Sequence, residues 1–114
     1  MNESPIFSKT YDLLLWLIPQ TTKFPRQHRF GLGEHILHQA LGFQEKLLAA
    51  SLSPISERTS LLIQADIQLA QLRLNLRLCK DLELFSIKQY EHVAGMLVEI
   101  GRLLGGWQKT LKTG

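Results

Sequence analysis

Two groups of cations are spaced for gripping phosphate. Lys23, Arg26 and Arg29 recur every three residues, interleaved with Phe24, His28 and Phe30, a composition that suits phosphate contacts combined with base stacking. The alternative for this cluster is that its two aromatics staple the start of a helix while the cations stay in water. Arg73, Arg77 and Lys80 form a second group at helical spacing, and two arginines one turn apart suit a forked grip on phosphate or carboxylate. Their alternative is ion pairing, Asp66 with Arg73 or Arg77 with Asp81. Other chemistry is thinly represented. His28, His35 and His38 lie toward one side of a helix, but zinc needs three or four supported ligands, and no cysteine partner or firm fourth ligand stands near them, so no metal is expected. Cys79 sits among Leu76, Leu78 and Leu82 and reads as an inert core thiol. No phosphate-cradling glycine loop follows a strand, and there is no nucleophile elbow or Cys-x-x-Cys pair. The expectation is a protein that is not an enzyme and carries no cofactor.

The elements that must position these groups are helices. Four periodic segments are separated by short breakers, with no strand-like alternation. The first runs from Ser4, an N-cap before Pro5, to about Ile18, where Pro19 is expected to end it. The second opens after Phe24-Pro25 and presents Ile36, Leu37, Ala40, Leu41, Leu47 and Leu48 on one face. The third starts at Ser53-Pro54 and continues to about Leu84. The fourth begins at Ser86-Ile87-Lys88-Gln89, which has the spacing of a capping box, and runs to the glycine pair Gly105-Gly106 or a turn beyond. Short connections make sequential helices antiparallel neighbours, so the predicted fold is all-α, an up-down four-helix bundle forming a single domain over residues 1–114.

The third helix has too many apolar faces for one core. At 100° per residue, Leu62, Ala65, Leu69, Leu72, Leu76 and Cys79 make one stripe, and Ile63, Ile67, Ala70, Leu74, Leu78 and Leu82 make another on nearly the opposite side. A helix apolar on two sides is central in its own fold or buried against another subunit, and every helix of a four-helix bundle is peripheral. Self-association is therefore expected, through Ile63, Ile67, Leu74 and Leu78 or through the opposite stripe. Arg73, Arg77 and Lys80 share a narrow strip between the two. The fourth helix carries one stripe, Tyr90, Val93, Leu97, Ile100, Leu104, Trp107 and Leu111, suited to the core, with Trp107 at its end also placed to anchor an interface. Gly101 and Gly105 lie four apart and cost helix stability, which predicts a close helix contact at both and places them with Trp107 in the candidate oligomer interface. Gly105-Gly106 also reads as a C-cap.

Composition sets the outer limits. A chain of 114 residues with a single cysteine can build its own core without a disulfide. The run Leu13–Ile18 is too short to span a bilayer, follows Lys9 and Asp12, and stops at Pro19 without a small-residue cleavage site, so a soluble cytoplasmic protein with no membrane partner is expected. Residues 1–57 carry five basic and five acidic side chains and residues 58–114 carry eight and five. The net charge of +3 therefore resides in the C-terminal half. That is modest for a nucleic-acid binder, and oligomerisation would multiply it.

Taken in order, Tyr11-Asp12-Leu13-Leu14-Leu15-Trp16-Leu17-Ile18-Pro19-Gln20, Lys23-Phe24-Pro25-Arg26, Leu72-Arg73-Leu74 with Arg77-Leu78, Lys88-Gln89-Tyr90-Glu91-His92, and Glu99-Ile100-Gly101-Arg102-Leu103-Leu104-Gly105-Gly106-Trp107 resemble the accessory variability determinant proteins of bacterial and phage diversity-generating retroelements. The stretch from about Gly42 to Ile63 carries no such match. The resemblance implies a bacterial or phage-encoded four-helix protein that assembles as a ring-like homopentamer, binds the element's reverse transcriptase and contacts RNA or DNA. It would then support mutagenic synthesis of complementary DNA from template RNA. The same four-helix group includes proteins encoded in intervening sequences of bacterial ribosomal RNA genes. The alternative class is thus a stand-alone oligomeric helical protein that binds nucleic acid or acts in assembly, with no polymerase partner.

Overall fold

The computed structural model describes residues 4–113, and every regular element in them is helical. Helix α1 (Pro5–Thr22) is followed by a single turn α2 (Arg26–His28), a π-helical segment (Arg29–Gly33) and α3 (Glu34–Leu52), which together form one rod; α4 (Ile55–Asp81) and α5 (Ile87–Thr113) complete the four. α1 packs beside α3, α3 beside α4, α4 beside α5, and α5 closes back onto α1. The molecule measures 46 × 24 × 24 Å, and α4, with 27 residues, spans most of its length at about 1.5 Å per residue.

The core lies along the axis of the four rods. Ile6, Leu13, Leu14 and Leu17 from α1, Ile36, Ala40, Phe43 and Leu47 from α3, Leu62, Ala65, Leu69, Leu72, Leu76 and Cys79 from α4, and Val93, Leu97, Ile100 and Leu104 from α5 are all buried. α4 thus commits one of its two apolar stripes to the core. α5 buries the middle of its single stripe and leaves Tyr90, Trp107 and Leu111 half-buried at its ends. α3 departs from expectation: Leu41 and Leu48 are exposed, and Phe43 occupies the core side in their place. Cys79 is a core thiol, and burial pushes it up to about 12, which leaves almost no thiolate at neutral pH.

Helix ends account for the remaining corrections. α1 does not stop at Pro19 but runs a turn further to Thr22. Proline deletes one backbone donor, and here the loss falls on the exposed side, where both Pro19 and Leu15 meet solvent. The threonine hydroxyls then reinforce the last turn, Thr21 Oγ1 donating to the Leu17 carbonyl at 3.0 Å and Thr22 Oγ1 to that of Ile18 at 2.8 Å. Ser4 and Ser53 precede helices without capping them through their side chains. α4 ends three residues earlier than expected, at Asp81. Glu83, at φ 61°, takes the left-handed place that glycine usually fills, with Leu84 N donating to the Cys79 carbonyl at 2.8 Å and Glu83 N to that of Lys80 at 3.0 Å. The capping box forms as read: Ser86 N donates to Gln89 Oε1 at 2.9 Å and Gln89 N to Ser86 Oγ at 3.1 Å.

The glycines of α5 need a different account from the one their spacing suggests. The helix continues through Gly105-Gly106 to Thr113, so the pair is no C-cap. A Cβ on Gly105 or Gly106 would meet nothing within 4 Å, which removes the close contact expected at Gly105. Within the protomer these two glycines only weaken the helix. Gly105→Ala and Gly106→Ala are each expected to raise stability by about 0.5–1 kcal/mol, seen as a higher midpoint of thermal unfolding. A lower midpoint in either variant would place that glycine against a second chain.

Candidate nucleic-acid and assembly surfaces

Arg73 and Lys80 reach the seam between α4 and α5, and Arg77 stands on the same strip of α4, exposed. Arg73 reaches across the seam, where Nη2 donates to the Leu97 carbonyl at 3.3 Å. A Cβ at position 101 would collide with that nitrogen. Gly101 therefore marks a close contact, but the visitor is a guanidinium and not a helix backbone. Arg77 is exposed and makes no ion pair among the described residues. The Lys80 ammonium sits 5.0 Å above the Tyr90 ring and 3.7 Å from Asp81 Oδ1. Neither anticipated pair, Asp66 with Arg73 or Arg77 with Asp81, forms. On α5 itself Arg102 pairs with Glu99 at 2.6 Å, and that hydrogen bond holds the Glu99 carboxyl below its usual range.

The cluster at the start of the second rod divides into structural and exposed parts. Phe24 is buried at 2% exposure, its ring 5.5 Å from that of Phe85 in an edge-on arrangement, so it joins the α4–α5 loop to the core and is not available for base stacking. Phe30 is 64% exposed. The Arg29 guanidinium lies 5.9 Å from the Phe30 ring centre, and its Nε donates to the Phe24 carbonyl at 3.4 Å. Lys23 and Arg26 are exposed. The π-helical segment carries Arg29 and Phe30 and ends at Gly33, where a Cβ would press on the His28 carbonyl at 3.3 Å and the Phe24 ring at 3.4 Å. Glycine there lets the rod pass close to the preceding turn.

The apolar stripe that α4 withholds from the core is open to solvent. Ile63, Ile67, Leu74 and Leu78 are 50%, 54%, 67% and 43% exposed, which settles which of the two stripes is core. Trp107 is half-buried and tilted against Phe7 at 6.1 Å, tying the end of α5 to the start of α1. A second exposed apolar set lies on α1 and α3. Tyr11, Leu15 and Ile18 line the outer side of α1, and Leu41 and Leu48 are exposed on the neighbouring α3. The steps of four, three and seven residues were the available signal. His35 and His38 are exposed and His28 is half-buried. No group of three or more His, Cys, Asp or Glu residues among those described could hold a metal ion. No helix among the described residues is long and apolar enough to cross a membrane.

These features define a class, a four-helix protein whose distinguishing groups are carried on its outer faces: a bare apolar stripe on α4, a basic seam beside it and a basic, aromatic corner at one end. The bAvd-like family model matches residues 5–111, nearly all of the chain, and the protein belongs to that family; it is an accessory protein of the Avd type. No match was found among curated proteins.

Proposed function

We propose that this protein is the non-enzymatic accessory factor of a diversity-generating retroelement, a homopentameric ring that binds the element's reverse transcriptase together with template RNA or its complementary DNA. The observation that carries the reading is the family match over residues 5–111. Two physical features support it. The bare stripe of α4 gives the protomer an apolar face of the kind that subunits bury against one another, and the charge excess of the C-terminal half is repeated in every subunit of an assembly, which multiplies the attraction for phosphate. In this reading Arg77, exposed and without an ion pair, is the foremost phosphate ligand of the strip, and Arg73 supports it from the Gly101 niche.

The test is whether a reverse-transcriptase gene stands in the same genomic neighbourhood and, where it does, uses the full chain with that enzyme. Co-purification of the two proteins, and RNA binding that falls steeply with salt, are the expected results. Arg73→Ala with Arg77→Ala is expected to weaken binding of RNA or polymerase. It removes one hydrogen bond to a carbonyl, about 1 kcal/mol, so helicity and oligomer size should hold. Disassembly or unfolding would make these arginines structural. Unchanged binding of both ligands by an intact assembly would move the site elsewhere, with Lys23, Arg26 and Arg29 next in line. Absence of any reverse-transcriptase interaction would leave a stand-alone helical nucleic-acid-binding protein.

A further inference from the structure

We propose that the corner between α1 and α3 binds single-stranded nucleic acid, with an unstacked base lying on Phe30 and the flanking phosphates held by Arg29, Arg26 and Lys23. The inference rests on the nucleic-acid binding proposed above and specifies a strand form and a residue for it. Of the two aromatics in this cluster, Phe24 performs the structural task by packing on Phe85, which leaves a core role for Phe30 unneeded. Phe30 is 64% exposed, an arrangement that gives the protomer little hydrophobic stabilisation.

Its position has a local cause. The π-helical segment Arg29–Gly33 carries an extra residue per turn relative to an α-helix, so Phe30 falls out of phase with the buried side that resumes at Gly33 and Ile36. Segments of this type are frequent at functional sites. The neighbouring guanidinium is held in place beforehand: Arg29 spends Nε on the Phe24 carbonyl and lies over the Phe30 ring, while its terminal amino groups make no ion pair among the described residues.

Charge favours a polyanion. No acidic residue occurs between Asp12 and Glu34. Glu34 and Arg29 both border the shallow niche formed with Thr21, Thr22 and Phe30; Lys23 and Arg26, outside that lining, add two exposed cations in the same stretch of chain. A single strand is the form that fits, because a base inside a duplex is already stacked on both faces, whereas a strand offers a free base face and its phosphates together.

The experiment is fluorescence anisotropy on the full chain of 114 residues, with a fluorescein-labelled single-stranded RNA of about 15 nucleotides and the matching duplex, a length within the range of one single-strand site. Phe30→Ala is expected to lower single-strand affinity about tenfold, the loss of one stacked base, with little change for the duplex; Phe30→Trp should keep the affinity. Arg26→Ala with Arg29→Ala should flatten the salt dependence. Circular dichroism should be unchanged throughout, since these side chains are exposed. Full single-strand affinity in Phe30→Ala, together with its loss in the Arg73, Arg77 double variant, would overturn this inference and leave the nucleic-acid reading standing on the α4–α5 seam. A wild-type protein that binds neither RNA at low salt would overturn both. If Phe30→Ala abolished co-purification with the reverse transcriptase and spared RNA binding, the corner would be a protein-docking surface and the inference wrong.

Discussion

Phe43→Ala is expected to destabilise the fold by about 3–5 kcal/mol, the range for truncating a buried phenylalanine. Phe43 is fully buried on α3 and is among the largest side chains in the core. Removing it leaves a void among close-packed helices that relax only in part. A domain of this size has roughly 5–15 kcal/mol in total, so the loss is a large fraction of the whole. The midpoint of urea unfolding, compared at equal protein concentration because assembly stabilises by mass action, is the measurement. A shift worth less than about 1 kcal/mol would mean that α3 does not sit in the core as described. Leu41→Ala on the same helix is the control. Leu41 is 39% exposed, and its truncation should cost far less.

The contrast between those two residues shows where the sequence could be read and where it could not. α4 and α5 were legible because their apolar positions repeat in steps of three and four over many turns, and because Ser86 and Gln89 have a spacing with one mechanical meaning. α3 was not, because Ile36-Leu37, Ala40-Leu41 and Leu47-Leu48 are adjacent pairs. Either member of a pair can head a stripe, and the choice is made by where Phe43 packs. The π-helical segment compounds this, since an inserted residue shifts the phase of everything after it, and nothing short of the backbone path reveals it. The end of α4 is illegible for a related reason: the left-handed position is filled by Glu83 and not by glycine, so no residue type marks it.

The candidate sites divide the same way. That Arg73, Arg77 and Lys80 share one strip follows from periodicity alone, and so does the existence of two opposed stripes on α4. What α5 offers to that strip depends on a neighbouring helix and is tertiary information. At Gly101 the close helix contact that the spacing suggests is absent: a missing side chain does not say what fills its space. Here it is the Arg73 guanidinium, and the same reasoning failed at Gly105, which faces open space. Phe24 and Phe30 are of one residue type, six positions apart, and only the packing of the α4–α5 loop onto the first assigns one to the core and the other to solvent.

Ile67→Glu with Leu74→Glu is expected to break the assembly into 13 kDa protomers that remain folded. Both residues are more than half exposed, at 54% and 67%, so in an isolated protomer the carboxylates would stay in water and cost the fold little. In an oligomer built on this stripe the same carboxylates would be buried without partners, at several kcal/mol each. They would also lie at matched positions in every subunit interface, so the penalty recurs at each contact of a closed assembly. Light scattering coupled to size exclusion at micromolar concentration reads the mass, and circular dichroism reads the fold. An assembly of unchanged mass in the double variant would remove this stripe from the interface and direct attention to Tyr11, Leu15 and Ile18 on α1. A wild-type protein that is itself 13 kDa would mean that the stripe is kept for another protein, and the polymerase would then be expected to dock on it: the double variant should lose co-purification with reverse transcriptase while the Arg73, Arg77 variant, whose side chains lie beside the stripe, retains part of it. The two mutational series therefore separate an interface between copies from an interface with a partner, because only in the first does the mass change when the apolar residues are charged.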